Sequence, residues 1–74
     1  MSPVRWTADR MDQLENAARR GQRVVLSRRG TEYVVVALKV GSEGRHDVLV
    51  GLLPMTGEAL TFRLDQIDSF QVVG

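Results

Sequence analysis

Residues 24–38 read Val24-Val25-Leu26-Ser27-Arg28-Arg29-Gly30-Thr31-Glu32-Tyr33-Val34-Val35-Val36-Ala37-Leu38, two β-branched apolar runs around a central Arg29-Gly30. A side-chain period of two on both sides of a glycine predicts a β-hairpin, because glycine supplies the positive φ that a tight turn requires. In the second arm, alternation places Val34, Val36, Leu38 and Val40 on one face and Tyr33, Val35, Ala37 and Lys39 on the other. Both faces are partly apolar, so the strand is expected to have neighbours on more than one side.

Downstream, Gly41-Ser42-Glu43-Gly44-Arg45-His46 reads as a flexible connection. Val48 to Leu53 is a third strand, Pro54-Met55-Thr56-Gly57 a turn, and Leu60 to Leu64 a fourth strand with clean alternation. Asp65-Gln66-Ile67-Asp68 reads as one helical turn leading into a last strand, Ser69 to Val73. Upstream, Thr7 is a good N-cap, Asp9 complements the helix dipole in the first turn, and Arg19-Arg20 before Gly21 form a C-terminal signature. The helix is expected over about 8–20. Its apolar stripe is Met11, Leu14 and Ala18, with Ala17 beside them, too narrow for a helical bundle and suited to docking on a sheet. Trp6 precedes the cap as a packing residue.

The order of elements predicts an α+β, mainly β fold: an N-terminal helix followed by a five-stranded antiparallel small barrel over about 22–73, in one domain spanning 1–74. Val24, Leu26, Val34, Val36, Leu38, Val48, Val50, Leu52, Leu60, Phe62, Leu64, Ile67, Phe70 and Val72 are expected inside, with Met11 and Leu14. Val25, Val35, Leu49 and Leu53 then fall on the opposite faces, which predicts a homo-oligomer contacting through strand edges or this second apolar face.

The chain has 74 residues, 43% apolar and 26% charged, an ordinary composition for a soluble protein. Cysteine is absent, so neither a disulfide nor a thiolate metal site exists. Met1 to Trp6 lack the apolar run of a secretory signal, and no stretch approaches the roughly 20 apolar residues of a membrane span. The default expectation is a cytoplasmic protein with no membrane partner. His46 stands alone, Ser27, Ser42 and Ser69 lack a nucleophile-elbow context, and Gly41-Ser42-Glu43-Gly44 is neither a Walker loop nor a dinucleotide fingerprint. Glu43, Asp47, Glu58, Asp65 and Asp68 lie in or beside turns without calcium-loop spacing. No enzyme, cofactor or metal is expected.

The net charge of +1 conceals an asymmetry. Seven arginines face three acids in residues 1–30, and three cations face six acids in residues 31–74. Nine of the ten cations are arginine, whose planar fork matches phosphate and carboxylate. Arg19 and Arg20 close the helix, Arg23 opens the next strand, and Arg28-Arg29 form the hairpin tip. These five are the candidate phosphate contacts, with Tyr33 as a stacking surface and Lys39 and Arg45 extending the site. The competing reading makes Tyr33 a cross-strand packing partner and the cations a solvated surface.

This helix and five-strand order resembles SH3-like small barrels, and more narrowly Sm-like ones. Phe62-Arg63-Leu64-Asp65-Gln66-Ile67 is similar to the F-x-L-D-x-I stretch of WYL domains in bacterial transcriptional regulators, although the Trp-Tyr-Leu run is absent. That resemblance implies a module binding nucleic acid or a nucleotide-like ligand. Residues 8–38 are also similar to the DNA-binding half of Phd-type antitoxins, though this chain continues into strands where those proteins continue into helix. Three functions are therefore expected in order: an oligomeric module binding DNA or RNA through arginine–phosphate contacts; a protein-interaction or assembly subunit using strand edges and an apolar face; an antitoxin-like DNA-binding regulator.

Overall fold

The computed structural model describes residues 4–74, so Met1 to Pro3, where the leader reading began, lie outside the described residues. The elements are helix α1 (Ala8–Arg20), strands β1 (Arg23–Arg28), β2 (Thr31–Glu43), β3 (His46–Leu52) and β4 (Ala59–Arg63), a one-turn 3₁₀ helix (Leu64–Gln66), and strand β5 (Ile67–Val72).

Both ends of α1 follow from their capping residues. Thr7 is extended, and its hydroxyl accepts the Arg10 backbone N–H at 3.2 Å. Gly21 adopts the left-handed conformation at φ 63°, and the next N–H, from Gln22, reaches the Ala17 carbonyl at 2.9 Å. Leu14 and Ala17 are fully buried, and Met11 and Ala18 half-buried, so the stripe read from spacing is the face laid on the sheet.

The five strands form one antiparallel sheet in the order β4-β3-β2-β1-β5. The expected closed barrel is not present: β4 and β5 are the two edges, and no ladder joins them. The 3₁₀ turn carries the chain from one edge to the other without bringing those two strands into hydrogen-bonding register. The core beneath the helix comprises Leu14, Ala17, Val24, Leu26, Val35, Ala37, Leu49, Phe62, Leu64 and Ile67.

Two sequence expectations are corrected. First, the faces of β2 and β3 are the reverse of those expected, except at Val48, which is buried as expected. Val35 and Leu49 are fully buried, whereas Val34 and Leu38 are 44% and 45% exposed and Val36, Val50 and Leu52 only half-buried. The two-residue turn at Arg29-Gly30 is the cause, with both residues at positive φ (51° and 81°). It sets Val24 opposite Val35 and Leu26 opposite Tyr33, and directly opposed residues share a face. Once Val24 and Leu26 point inward, Val35 must as well. Beyond Ala37 an irregularity shifts the register, so Val40 pairs with Leu49 and returns to the inner face.

Second, Gly41–His46 is not a loop. β2 runs on to Glu43 and β3 begins at His46, paired all the way to the tip with Glu43 opposite His46. Only Gly44 and Arg45 turn, Gly44 at φ 63°. Polar composition disguised paired backbone, because a solvent-facing strand needs no apolar side chains to keep its ladder. Gly51 has a different role. A Cβ there would lie 2.7 Å from Val35 Cγ2 and 2.9 Å from Val35 Cβ, so the absent side chain is what lets β2 lay Val35 over β3.

Candidate nucleic-acid interface

The eight sequence-predicted site residues separate into distinct places. Arg19 and Arg20 end α1, and Arg23 opens β1 after the Gly21-Gln22 link; all three are exposed. Backbone bonds tie this corner together: Gln22 N–H to Ala17 O, and Ala37 N–H to Gln22 O, both at 2.9 Å. Lys39 lies two residues beyond Ala37, at the β2 irregularity. It lines a shallow hollow with Arg19, Glu15, Ala18, Leu38 and Val40. Of these four cations, Arg19 and Lys39 share that hollow with a single carboxylate, Glu15, whereas Arg23 pairs with Val36 on the face of the sheet away from α1 and lines a separate hollow with Val34, Leu53 and Met55. Arg19 also donates to Asn16 Oδ1 at 3.0 Å, a contact that orients the guanidinium without neutralising it.

The other four are elsewhere. Arg28 was expected free at the hairpin tip, but it is half-buried on the inner side of the sheet. Its guanidinium carbon lies 5.2 Å from the Tyr33 ring centre and 5.0 Å from that of Phe62, and Nη2 donates to the Tyr33 hydroxyl at 3.0 Å. Arg28 continues the inward alternation of Val24 and Leu26, and two aromatic faces plus one hydroxyl hold it there. Tyr33 is edge-on to Phe62 with centroids 5.1 Å apart, so its ring is engaged in packing. Arg29 is exposed in the turn following β1, roughly 20 Å along the chain from Arg23 by the ~3.3 Å rise per residue. Arg45 is exposed at the far tip of the β2–β3 hairpin, beside Trp6, Met11, Asp47, Leu64 and Asp65.

Among the described residues, the one pair of permanent charges is Arg63 Nη2 with Asp65 at 2.6 Å, and His46 Nδ1 lies 3.6 Å from the same carboxylate. The hydrogen bonds from Arg63 hold the Asp65 carboxyl below its usual range, against a partial desolvation and with help from the charges of Arg63 and His46. None of the chain's own carboxylates is paired with Arg19, Arg20, Arg23, Arg29, Lys39 or Arg45 among the described residues.

All of a second surface except Val25 was assigned to the interior by the sequence reading. Through the observed register, Val25, Val34, Val36, Val50 and Leu52 share the outer face of the sheet, away from α1. Next to it Arg23, Val34, Leu53, Pro54, Met55 and Thr56 line a hollow, with Met55 94% exposed. The turn arithmetic at Arg29-Gly30 was the signal that would have found this face. No cluster of metal-ligating side chains is present among the described residues, nor does any described helix have the length and apolarity to cross a membrane. Compared with family models, curated proteins and solved structures, the chain matches none.

Proposed function

We propose that this protein is a small nucleic-acid-binding module that contacts phosphates through one corner of its surface. The observation that carries the reading is the set Arg19, Arg20, Arg23 and Lys39: exposed, free of ion pairs among the described residues, and carried by the hydrogen-bonded junction of α1, β1 and β2, with Arg19 and Lys39 in one hollow and Arg23 around the edge on the other face of the sheet. Arginine forks and a lysine point charge at such a corner suit a phosphate backbone. Tyr33 is occupied by packing, so binding through this corner is electrostatic and tolerant of sequence. Arg28 leaves the contact set, while Arg29 and Arg45 are peripheral.

The test is a titration of end-labelled duplex and single-stranded DNA and of RNA from about 50 to 200 mM salt. Four phosphate contacts give a log–log slope near −3.6 on duplex DNA at ~0.9 per contact. Arg20→Gln with Arg23→Gln lowers that slope by about 1.8 at the same rate per contact. Absence of binding at about 50 mM salt, or a slope untouched by the double substitution, removes the proposal.

The outer valine face favours a second reading, a subunit that assembles through this surface. Exposed aliphatic side chains gathered on one side of a sheet mark contact sites. Static light scattering that finds a monomer at all concentrations, with no partner retained on purification, sinks that alternative.

A further inference from the structure

A different group of residues, none of them in the phosphate corner, forms a second candidate site at the start of α1. Val4, Arg5, Arg10, Asp68, Ser69 and Phe70 line a hollow of about 330 Å³ between the segment leading into α1 and strand β5. That volume is at the lower end of the ~300–1,000 Å³ typical of small-ligand sites. Residues 5 and 10 are brought to residues 68–70 only by the tertiary fold. The Val4 N–H donates to the Ile67 carbonyl at 2.7 Å, fixing the leading segment along β5. The Trp6 indole N–H donates to the Leu64 carbonyl at 2.8 Å, and its ring stacks on Phe70 with centroids 5.1 Å apart and planes 13° from parallel.

Those contacts hold the hollow's chemistry in place. Arg10 Nη1 donates to the Arg5 carbonyl at 2.6 Å, which restrains one guanidinium beside the hollow and leaves its other N–H groups unused among the described residues. Neither arginine is paired with a carboxylate there, although Asp68 lines the same hollow. Asp68 is positioned by the Gly30 N–H at 3.4 Å and has acceptor capacity left over. Phe70 is half-buried, with Trp6 stacked on it. The constellation is thus two guanidinium groups, a carboxylate, a hydroxyl from Ser69 and an aromatic wall.

We infer that this hollow is a subsite for a nucleoside 5′-phosphate unit, the phosphate held between Arg5 and Arg10, the base against Phe70, and a sugar hydroxyl or base N–H donated to Asp68. A plain anion site would gain nothing from a carboxylate in its wall, and a purely apolar ligand would leave two guanidinium groups unmatched. A ligand with an anionic end, donor groups and a flat ring satisfies all three features. The shared chemistry belongs both to a free nucleotide and to the end of a strand bearing a 5′-phosphate.

Trp6 is the only tryptophan and is stacked on the wall of the site, so its fluorescence reports occupancy directly. Adenosine 5′-monophosphate is expected to change that emission saturably, and Arg5→Gln to weaken binding roughly tenfold, the effect of losing one charge-assisted hydrogen bond. Adenosine and inorganic phosphate, each offering half of the match, bind much more weakly. A 5′-phosphorylated oligonucleotide binding far more tightly than the mononucleotide assigns the subsite to a strand end, and equal affinity assigns it to the free nucleotide. No emission or ¹⁵N chemical-shift response up to about 5 mM nucleotide, an unchanged response in folded Arg5→Gln, or equal binding of inorganic phosphate overturns the inference. Labelled DNA bound through Arg20 and Arg23 without any nucleotide response at Trp6 would refute the subsite and leave the phosphate corner standing. The converse result would do the reverse.

Discussion

Gly51→Ala adds one methyl group where β3 packs closely against Val35 of β2. The new Cβ would fall 2.7 Å from Val35 Cγ2 and 2.9 Å from Val35 Cβ, well inside van der Waals contact. Val35 is fully buried and cannot swing into solvent. Its Cβ is fixed to the backbone, so changing rotamer relieves only part of the clash and β2 must move away from β3. Forcing extra methyl groups into a packed core costs ~1–3 kcal/mol. Gly51 lies outside the positive-φ region, so alanine is free of backbone strain and lowers the entropy of the unfolded chain, an opposing gain of ~0.4–1 kcal/mol. The net expectation is a loss of about 1–2 kcal/mol. For a domain of this size each kcal/mol moves the midpoint by roughly 4–8 °C, so thermal denaturation followed by circular dichroism should show a drop of about 4–16 °C. Val35→Ala removes Cγ2, the nearest clashing atom, though not Cβ, and the double variant should be more stable than the sum of the single effects predicts. A Gly51→Ala midpoint equal to or above that of the parent, or strict additivity in the cycle, would refute the claim that this glycine exists to admit Val35.

Trp6→Phe removes the indole N–H that the Leu64 carbonyl accepts at 2.8 Å while keeping an aromatic ring on Phe70, and is expected to cost about 1–2 kcal/mol in chemical denaturation; a loss under ~0.3 kcal/mol would contradict that anchoring role. Asp65 should titrate by NMR below the ordinary carboxylate range, and Arg63→Gln should move its midpoint upward. Because the folded-state value is depressed, the associated stabilisation is present above the unfolded carboxyl's range and disappears as pH falls through the folded value; an unchanged midpoint in Arg63→Gln would show that Arg63 is not the cause. Thr7→Ala deletes the cap accepted from Arg10 and should lower stability by ~1 kcal/mol with little change beyond the first turn of α1, read from hydrogen exchange.

Local chemistry in the sequence was enough to determine α1 and the first hairpin. The cap at Thr7, the left-handed Gly21 and the Arg29-Gly30 turn act within a few residues, so helix bounds of 8–20 and a hairpin centred on 29–30 could be read directly. The α+β class followed from the order of those periods. Face assignment needed one further step, since a turn of defined length fixes which residues oppose one another. That step was available in the letters: Val24 and Leu26 inward imply Val35 and Tyr33 inward. Alternation applied to β2 in isolation gave the opposite face, because a strand of six apolar residues carries no polar marker of its own.

Other features depended on contacts between distant parts of the chain. Pairing through the polar tip at Gly44-Arg45 and the register shift beyond Ala37 arise from strand against strand, and neither has a side-chain signature. Charge content showed that the first thirty residues are rich in arginine, but its distribution was decided in three dimensions. Arg19 and Lys39 share a hollow because α1 lies along β2, while Arg28 turns inward because Tyr33 and Phe62 offer it two rings and a hydroxyl. The sequence determined how many guanidinium groups this protein has. Only the packing of the sheet determined which of them remain facing water.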